Sequence, residues 1–264
     1  MAERIAGVAQ VLAIASGKGG VGKTTVTVNL ALALAQTGAR TGIFDADIYG
    51  PNIPLMLGVR RQEEARGWLP VARVSKEPYI PPLERFGLQV MSIGLLVGEA
   101  QAVMPHPLFT GRIVTQTIRD VLWDRLDYLL VDLPPGTGEP QQSLLQAVPM
   151  AGAVVVTTPQ DLSLLDAGRS LAMFRQSHVP ILGLVENMSY LYCPHCGERV
   201  EVFHHSDRPW AVEDTAIEML GRIPMDLAIS RGIAAGHPLL AATPDATEAA
   251  VFRRIAARVR EKLV

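Results

Sequence analysis

The sequence predicts one α/β domain over residues 1–264: a single doubly wound, mostly parallel sheet with helices on both faces. Three observations predict it. Apolar runs of strand length alternate with longer helix-like stretches, the order that builds parallel sheets. A glycine-rich phosphate-binding loop follows the first apolar run and opens a helical pattern. No break in composition divides the 264 residues into two units, and a chain of that length buries a sizeable core.

The first strand, at about 10–16, carries Val11 to Ala15 into the glycine loop. The helix after it, about 22–36, places Val26, Leu30 and Leu34 at helical spacing. A second strand at about 40–45 runs through Gly42-Ile43-Phe44 and ends on Asp45-Ala46-Asp47. Residues 59–87 hold Pro70, Pro78, Pro81 and Pro82 with little periodicity, which reads as a long surface connection. Further strands follow at about 88–93, 127–132, 152–158, 181–186 and 218–222, and further helices at about 108–123, 139–147, 162–176 and 246–263. The last helix sets Val251, Ile255 and Val259 four apart beside Arg253, Arg254, Arg258, Arg260 and Lys262. A basic amphipathic helix can lie on an anionic membrane. Here the stripe is narrow and rich in alanine, with Phe252 and Leu263 its only large additions, so packing on the sheet is the expectation.

Apolar residues make up 48% of the chain and charged residues 19%, an ordinary globular balance. A net charge of −2 predicts no general affinity for nucleic acid. Residues 8–15 are too short to span a bilayer, and Glu3 and Arg4 do not resemble a signal-peptide start, so a cytoplasmic protein is expected. Both cysteines, Cys193 and Cys196, fall in one Cys-x-x-Cys within a loop at 188–207. In a reducing compartment that spacing suggests metal or redox chemistry before a structural disulfide.

Residues 16–25 read Ser-Gly-Lys-Gly-Gly-Val-Gly-Lys-Thr-Thr. Glycines at 17, 19, 20 and 22 let the backbone turn its N–H groups inward around phosphates, where a helix N-terminus adds about half a positive charge. Gly17, Lys18, Gly19, Gly20, Val21, Gly22, Lys23, Thr24 and Thr25 are therefore the candidate nucleotide-binding residues. Lys23 is expected to reach the β- and γ-phosphates of ATP, and Thr24 to offer its hydroxyl to Mg²⁺. Asp132, at the end of Tyr128-Leu129-Leu130-Val131, is placed to hold Mg²⁺ through water, with the Gly136 N–H near the γ-phosphate. Asp47, in preference to Asp45, is the candidate for positioning the attacking water. Lys18 is a second ammonium in one loop, and a partner subunit's triphosphate would supply the negative charge that justifies it.

These residues resemble the deviant P-loop ATPases, the group that includes MinD, the ParA proteins and the nitrogenase iron protein. More narrowly, Asp45-Ala-Asp-Ile-Tyr-Gly-Pro-Asn-Ile-Pro54, Asp132-Leu-Pro-Pro-Gly-Thr-Gly138, Val156-Thr-Thr-Pro-Gln160 and Glu186-Asn-Met-Ser-Tyr190, followed by Cys193-Pro-His-Cys196, resemble the Mrp/ApbC family of iron-sulfur cluster carrier ATPases. The similarity runs from about residue 10 to 240. It implies that Lys18 crosses a homodimer interface to the partner's phosphates and that Asn187 hydrogen-bonds adenine. It also implies an ATPase that passes clusters from assembly scaffolds to apo iron-sulfur proteins. Two segments depart from the family pattern: Met104-Pro-His-Pro107, where an Arg-Gly-Pro segment is usual, and Val202-Phe-His-His-Ser-Asp207, where a glycine-rich stretch is usual.

Two thiolates do not complete the four-cysteine ligation of an ordinary cluster, whereas a two-fold dimer supplies four. A [4Fe–4S] cluster bridging the dimer through Cys193 and Cys196 is the leading reading, its type implied by the resemblance. Zinc is the rival, held by Cys193, Cys196, His204 and His205 or by four cysteines across the dimer. A thioredoxin-like disulfide lacks a redox-domain context. His195, His204, His205 and His237 read individually as surface or packing histidines. A spatial-organising ATPase of the MinD and ParA type, acting at membrane or DNA, is the alternative function, and it has no need of the two cysteines.

Overall fold

The structure is a computed structural model that describes residues 3–59, 80–96, 107–203 and 217–263. The elements run β1 (Val8–Ser16), α1 (Lys23–Ala35), β2 (Thr41–Asp45), α2 (Ile53–Met56), β3 (Leu83–Arg85), β4 (Leu88–Ser92), α3 (Ile93–Leu96), α4 (Pro107–Asp120), β5 (Leu126–Asp132) and α5 (Glu139–Ala147). They continue with β6 (Gly152–Thr157), α6 (Asp161–Gln176), β7 (Ile181–Glu186), β8 (Leu191–Tyr192), β9 (Arg199–Val200), β10 (Met219–Arg222), α7 (Leu227–Ala234), α8 (Leu239–Ala242) and α9 (Thr247–Glu261). Every strand and helix expected from the periodicity is present within a few residues of its predicted bounds. Most of the 59–87 connection, and residues 104–106 and 204–207 of the two departing segments, lie outside the described residues.

Eight strands form one sheet in the order β10-β7-β6-β1-β5-β2-β4-β3. All neighbours are parallel except β3, which runs antiparallel to β4 at the edge. The central strands β2 and β6 are buried along their whole length, as a parallel strand covered on both faces requires. Their alternate side chains feed two cores. Leu12, Ile14, Ile43, Leu130 and Val154 pack with α1, α8 and α9, while Ala13, Phe44, Leu129, Val131 and Val155 pack with α4, α5 and α6.

Helix α1 is buried almost all round, because the sheet covers one side and α8 and α9 the other. The chain leaves β1 through α1 on one face and leaves β5 through α5 on the other. The carboxyl end of β1 therefore lies at the switch point where open α/β sheets bind ligands.

On α9 the stripe of Val251, Ile255 and Val259 is buried against the chain's own core. Three of its cations are also engaged: Arg258 donates to the Met219 and Leu220 carbonyls at 2.9 and 3.0 Å, Arg253 donates to Gln36 Oε1 at 3.1 Å, and Lys262 pairs with Glu218 at 2.8 Å. The apolar face that a membrane would need is thus already covered. Among the described residues no helix is long and apolar enough to cross a membrane.

Candidate nucleotide site and cysteine turn

The loop between β1 and α1 is shaped by what its glycines permit. A Cβ on Gly17 would sit 2.1 Å from the backbone of Asp166, so α6 closes directly on the loop. Gly22 has φ +80°, and a Cβ there would meet Asn187 Nδ2 at 2.2 Å. Gly22 also stands at the N-terminal end of α1 with no side chain capping it, and the first turn carries no acid. The free N–H groups and the helix dipole are therefore left for an anion.

A cavity of about 180 Å³ opens above this loop, lined by the loop residues together with Asp47, Asn52, Met56 and Pro135. Its size suits the phosphate end of a nucleotide rather than the whole molecule. Inside it, Lys23 Nζ lies 2.7 Å from Asp132 Oδ2, with both side chains nearly inaccessible to water. Thr24 donates to the same oxygen at 2.8 Å, and Thr27 donates to Asp132 Oδ1 at 2.5 Å. Asp132 thus collects an ammonium and two hydroxyls in a dry site, where paired charges interact most strongly.

Asp45 is the register neighbour of Asp132 on the adjacent strand and is fully buried. It accepts from Ser92 Oγ at 2.9 Å and from the Asp47 and Ile53 N–H groups at 3.2 and 3.3 Å. Burial, reinforced by the Asp132 charge, pushes its carboxyl up to about 8. Asp45 thus tends to hold its proton beside the Lys23–Asp132 pair. Asp47 is less enclosed and lines the cavity, with Oδ1 accepting from the Tyr49 and Gly50 N–H groups at 3.2 Å each. Burial raises its pKa, and Lys23 opposes the rise.

The loop residues and Asp47 line one cavity with Asp132 beside it, while the Gly136 N–H, the Asn187 amide and the Lys18 ammonium are each engaged elsewhere. The Gly136 N–H donates to the Ser16 carbonyl at 2.9 Å, so a phosphate contact there requires that bond to open. Asn187 is buried, and its Nδ2 donates to the Val21 carbonyl at 2.9 Å. In this geometry it buttresses the loop rather than presenting that nitrogen to a base. Lys18 Nζ reaches Gln160 Oε1 at 3.4 Å on the exposed side of the loop.

Thr27 and Ser92 were not singled out by sequence reasoning. Thr27 lies one helical turn beyond Thr24, and Ser92 is the register partner of Asp45, so helix period and strand order are the signals for both. The donor set is hard and oxygen-based around Thr24 and Asp132, which fits Mg²⁺, and the buried Lys23 fits a polyphosphate.

The cysteines sit on a separate turn. Strands β8 and β9 pair Leu191 with Val200 and Tyr192 with Arg199, and residues 193–198 join them. The Cys193 N–H donates to the Glu198 carbonyl and the Gly197 N–H to the Cys193 carbonyl, both at 2.8 Å. Gly197, at φ +74°, lets the turn close. Cys193 is half-buried, Cys196 is exposed, and both are free thiols. Hydrogen bonds from the Cys196 and His195 backbones hold the Cys193 thiol below the usual range. Among the described residues no third Cys, His, Asp or Glu joins them in a metal-sized group. His204 and His205 lie outside the described residues. His237 packs edge-on against Phe86 and bonds the Ala235 carbonyl, a packing histidine as expected.

Only five residues separate Asn187, which holds the phosphate loop, from Cys193. That span is itself fixed: Ser189 donates to Glu186 Oε1 at 2.5 Å, Arg222 pairs with Glu186 at 3.3 Å, and the Met225 N–H binds the Tyr190 carbonyl at 2.6 Å. A short, hydrogen-bonded strut joins the two sites.

The chain is also similar to known proteins along most of its length. The chain is 41% identical over 259 residues to an iron-sulfur cluster carrier protein of Haemophilus influenzae, covering 98% of this chain and 68% of that protein. It is 40% identical over 261 residues to the mouse iron-sulfur cluster transfer protein NUBPL, covering 98% and 79%. A nucleotide-binding protein from Archaeoglobus fulgidus, solved in complex with ADP, superposes with a TM-score of 0.72 at 36% identity, covering 88% of each chain. The family model described as ParA, NUBPL iron-transfer P-loop NTPase, matches residues 7–260, and the chain belongs to that family.

Proposed function

We propose that the protein is an ATP-dependent iron-sulfur cluster carrier that holds its cargo across a homodimer and delivers it to apo iron-sulfur proteins. The observation that carries this reading is the strut from Asn187 to Cys193, which ties a nucleotide-binding loop to two free thiols on one short turn. Two thiols of one chain leave a cluster half-ligated, and a second copy supplies the other two.

The chain's own residues divide the work. Lys23 leaves Asp132 for the β- and γ-phosphates, and the loop N–H groups bind the remaining charge. Thr24, and Asp132 through water, would hold Mg²⁺, which would supply charge neutralisation at the phosphates. Asp47 orients water for in-line attack on the γ-phosphorus, and the bond to the bridging oxygen breaks to give ADP and phosphate. Lys18 of each copy answers the charge on the other's nucleotide. Rearrangement of the loop reaches the Val21 carbonyl, hence Asn187, hence the turn that holds Cys193. Cargo on an exposed two-cysteine turn is bound by few groups, which suits release.

Anaerobic purification followed by iron, sulfide and zinc analysis tests the reading. Iron and sulfide in equal amounts, about two irons per chain, are expected, and Cys193→Ala is expected to lose both while still binding ATP. One zinc and no sulfide in protein purified without oxygen contradicts it.

A further inference from the structure

Three side-chain donors meet on Asp132, and they differ in what else they are free to do. Lys23 Nζ and Thr24 Oγ1 both reach Oδ2, at 2.7 and 2.8 Å, and both residues line the nucleotide cavity. Thr27 Oγ1 reaches the other oxygen, Oδ1, at 2.5 Å, and Thr27 is no part of the cavity lining. It is fully buried, as is Asp132.

The Thr27 hydroxyl has one proton and two acceptors in reach, Asp132 Oδ1 and the Lys23 carbonyl at 3.1 Å. The carboxylate is nearer and charged, so it takes the proton. Thr27 stands between Val26 and Val28 in the apolar heart of α1, where a valine would fill the same space and need no partner. The bond to Asp132 is what gives a hydroxyl a use at this position.

On the reading of the nucleotide site given above, Lys23 moves to the phosphates and Thr24 turns its hydroxyl to Mg²⁺. Of the three donors on Asp132, Thr27 is then the one that stays. A carboxylate turns easily about its last torsion, and an outer contact is what fixes the direction in which a metal-site carboxylate points. We infer that Thr27 is a positioning residue for the metal: by engaging Oδ1 it keeps Oδ2 turned toward Thr24 and the place of the ion. Thr27 touches neither nucleotide nor metal and acts through Asp132.

The test is the affinity for ADP, by calorimetry, with Mg²⁺ and with EDTA, in the natural chain, Thr27→Val and Thr27→Ser. The readout is the ratio of the two affinities within each protein, from which a general loosening of the site cancels. Loss of an outer contact costs a metal site about tenfold or more. The enhancement by Mg²⁺ is therefore expected to fall about tenfold in Thr27→Val, or to vanish where it is smaller, and to return in Thr27→Ser. In the natural chain the Thr27 hydroxyl proton is expected to be protected from exchange and visible by NMR both without ligand and with Mg²⁺ and ADP, a measurement that needs no variant to fold. An undiminished ratio in Thr27→Val, no recovery in Thr27→Ser, or loss of the hydroxyl signal when Mg²⁺ and ADP bind overturns the inference. Absence of any Mg²⁺ effect on ADP affinity in the natural chain overturns the reading of Thr24 and Asp132 as the metal's residues, and the inference falls with it.

Discussion

Asp132 and Asp45 show how two residues of one type acquire different roles from their surroundings. Both end neighbouring parallel strands and both are fully buried, but of the two only Asp132 is in ion-pair contact with the Lys23 ammonium. The folded protein therefore keeps a proton on Asp45 that the unfolded chain releases near pH 4, until the pH reaches about 8. Folded protein binds more protons than unfolded across that window, so this group makes stability fall as pH rises through it. Asp45→Asn removes the effect. Its melting temperature relative to the natural chain, measured without nucleotide, should climb between pH 5 and pH 8, and parallel curves would count against a neutral Asp45. Cys193 is predicted to behave in the opposite sense, as a thiol whose donors favour the thiolate. Its alkylation by iodoacetamide should reach half-maximal rate below the pH typical of free cysteine. The loop lysines, Thr24, Asp47 and Asp132 were legible in the sequence because motif spacing and strand ends fix where they lie. The neutral state of Asp45 was not, since it depends on which strand lies beside β2.

At the level of elements, the strands and long helices were readable because central parallel strands are unbroken apolar runs and α1 repeats its leucines at helical spacing. The short pieces were not. Strand β3 has three residues with a charged middle, and α2, α3 and α8 have four each, too few for any period to show. The hairpin β8–β9 was likewise hidden, because two-residue strands carry no alternation and the turn is set by backbone bonds around Gly197. Asn187 was attributed to adenine by resemblance, whereas its observed bond to Val21 makes it part of a strut. Asn187→Ala should lower stability by about 1–2 kcal/mol, the cost of leaving a buried carbonyl unpaired, as read by urea unfolding. It should also weaken the effect of ATP on cluster transfer while leaving cluster assembly intact. Full ATP control in that variant would remove the strut from the mechanism.

The whole molecule places its chemistry at one end of the sheet, where α1 begins and where the span from β7 to the cysteine turn starts. On the proposed function, a single copy has a complete phosphate loop but half of the cluster's cysteine ligands, and activity would belong to the dimer. Helix α9 spends its apolar stripe on the core. A dimer that carries the cluster should be split by loss of either cysteine more readily than by loss of Lys23, as sedimentation under anaerobic conditions would show. The most direct test of the account is the rate at which reconstituted protein passes its cluster to an apo iron-sulfur acceptor, with and without Mg²⁺ and ATP, compared between the natural chain and Lys23→Ala. The account predicts that ATP changes transfer only in the natural chain, and that Lys23→Ala assembles a normal cluster but loses ATP-controlled delivery; undiminished delivery, equally responsive to ATP, would contradict it.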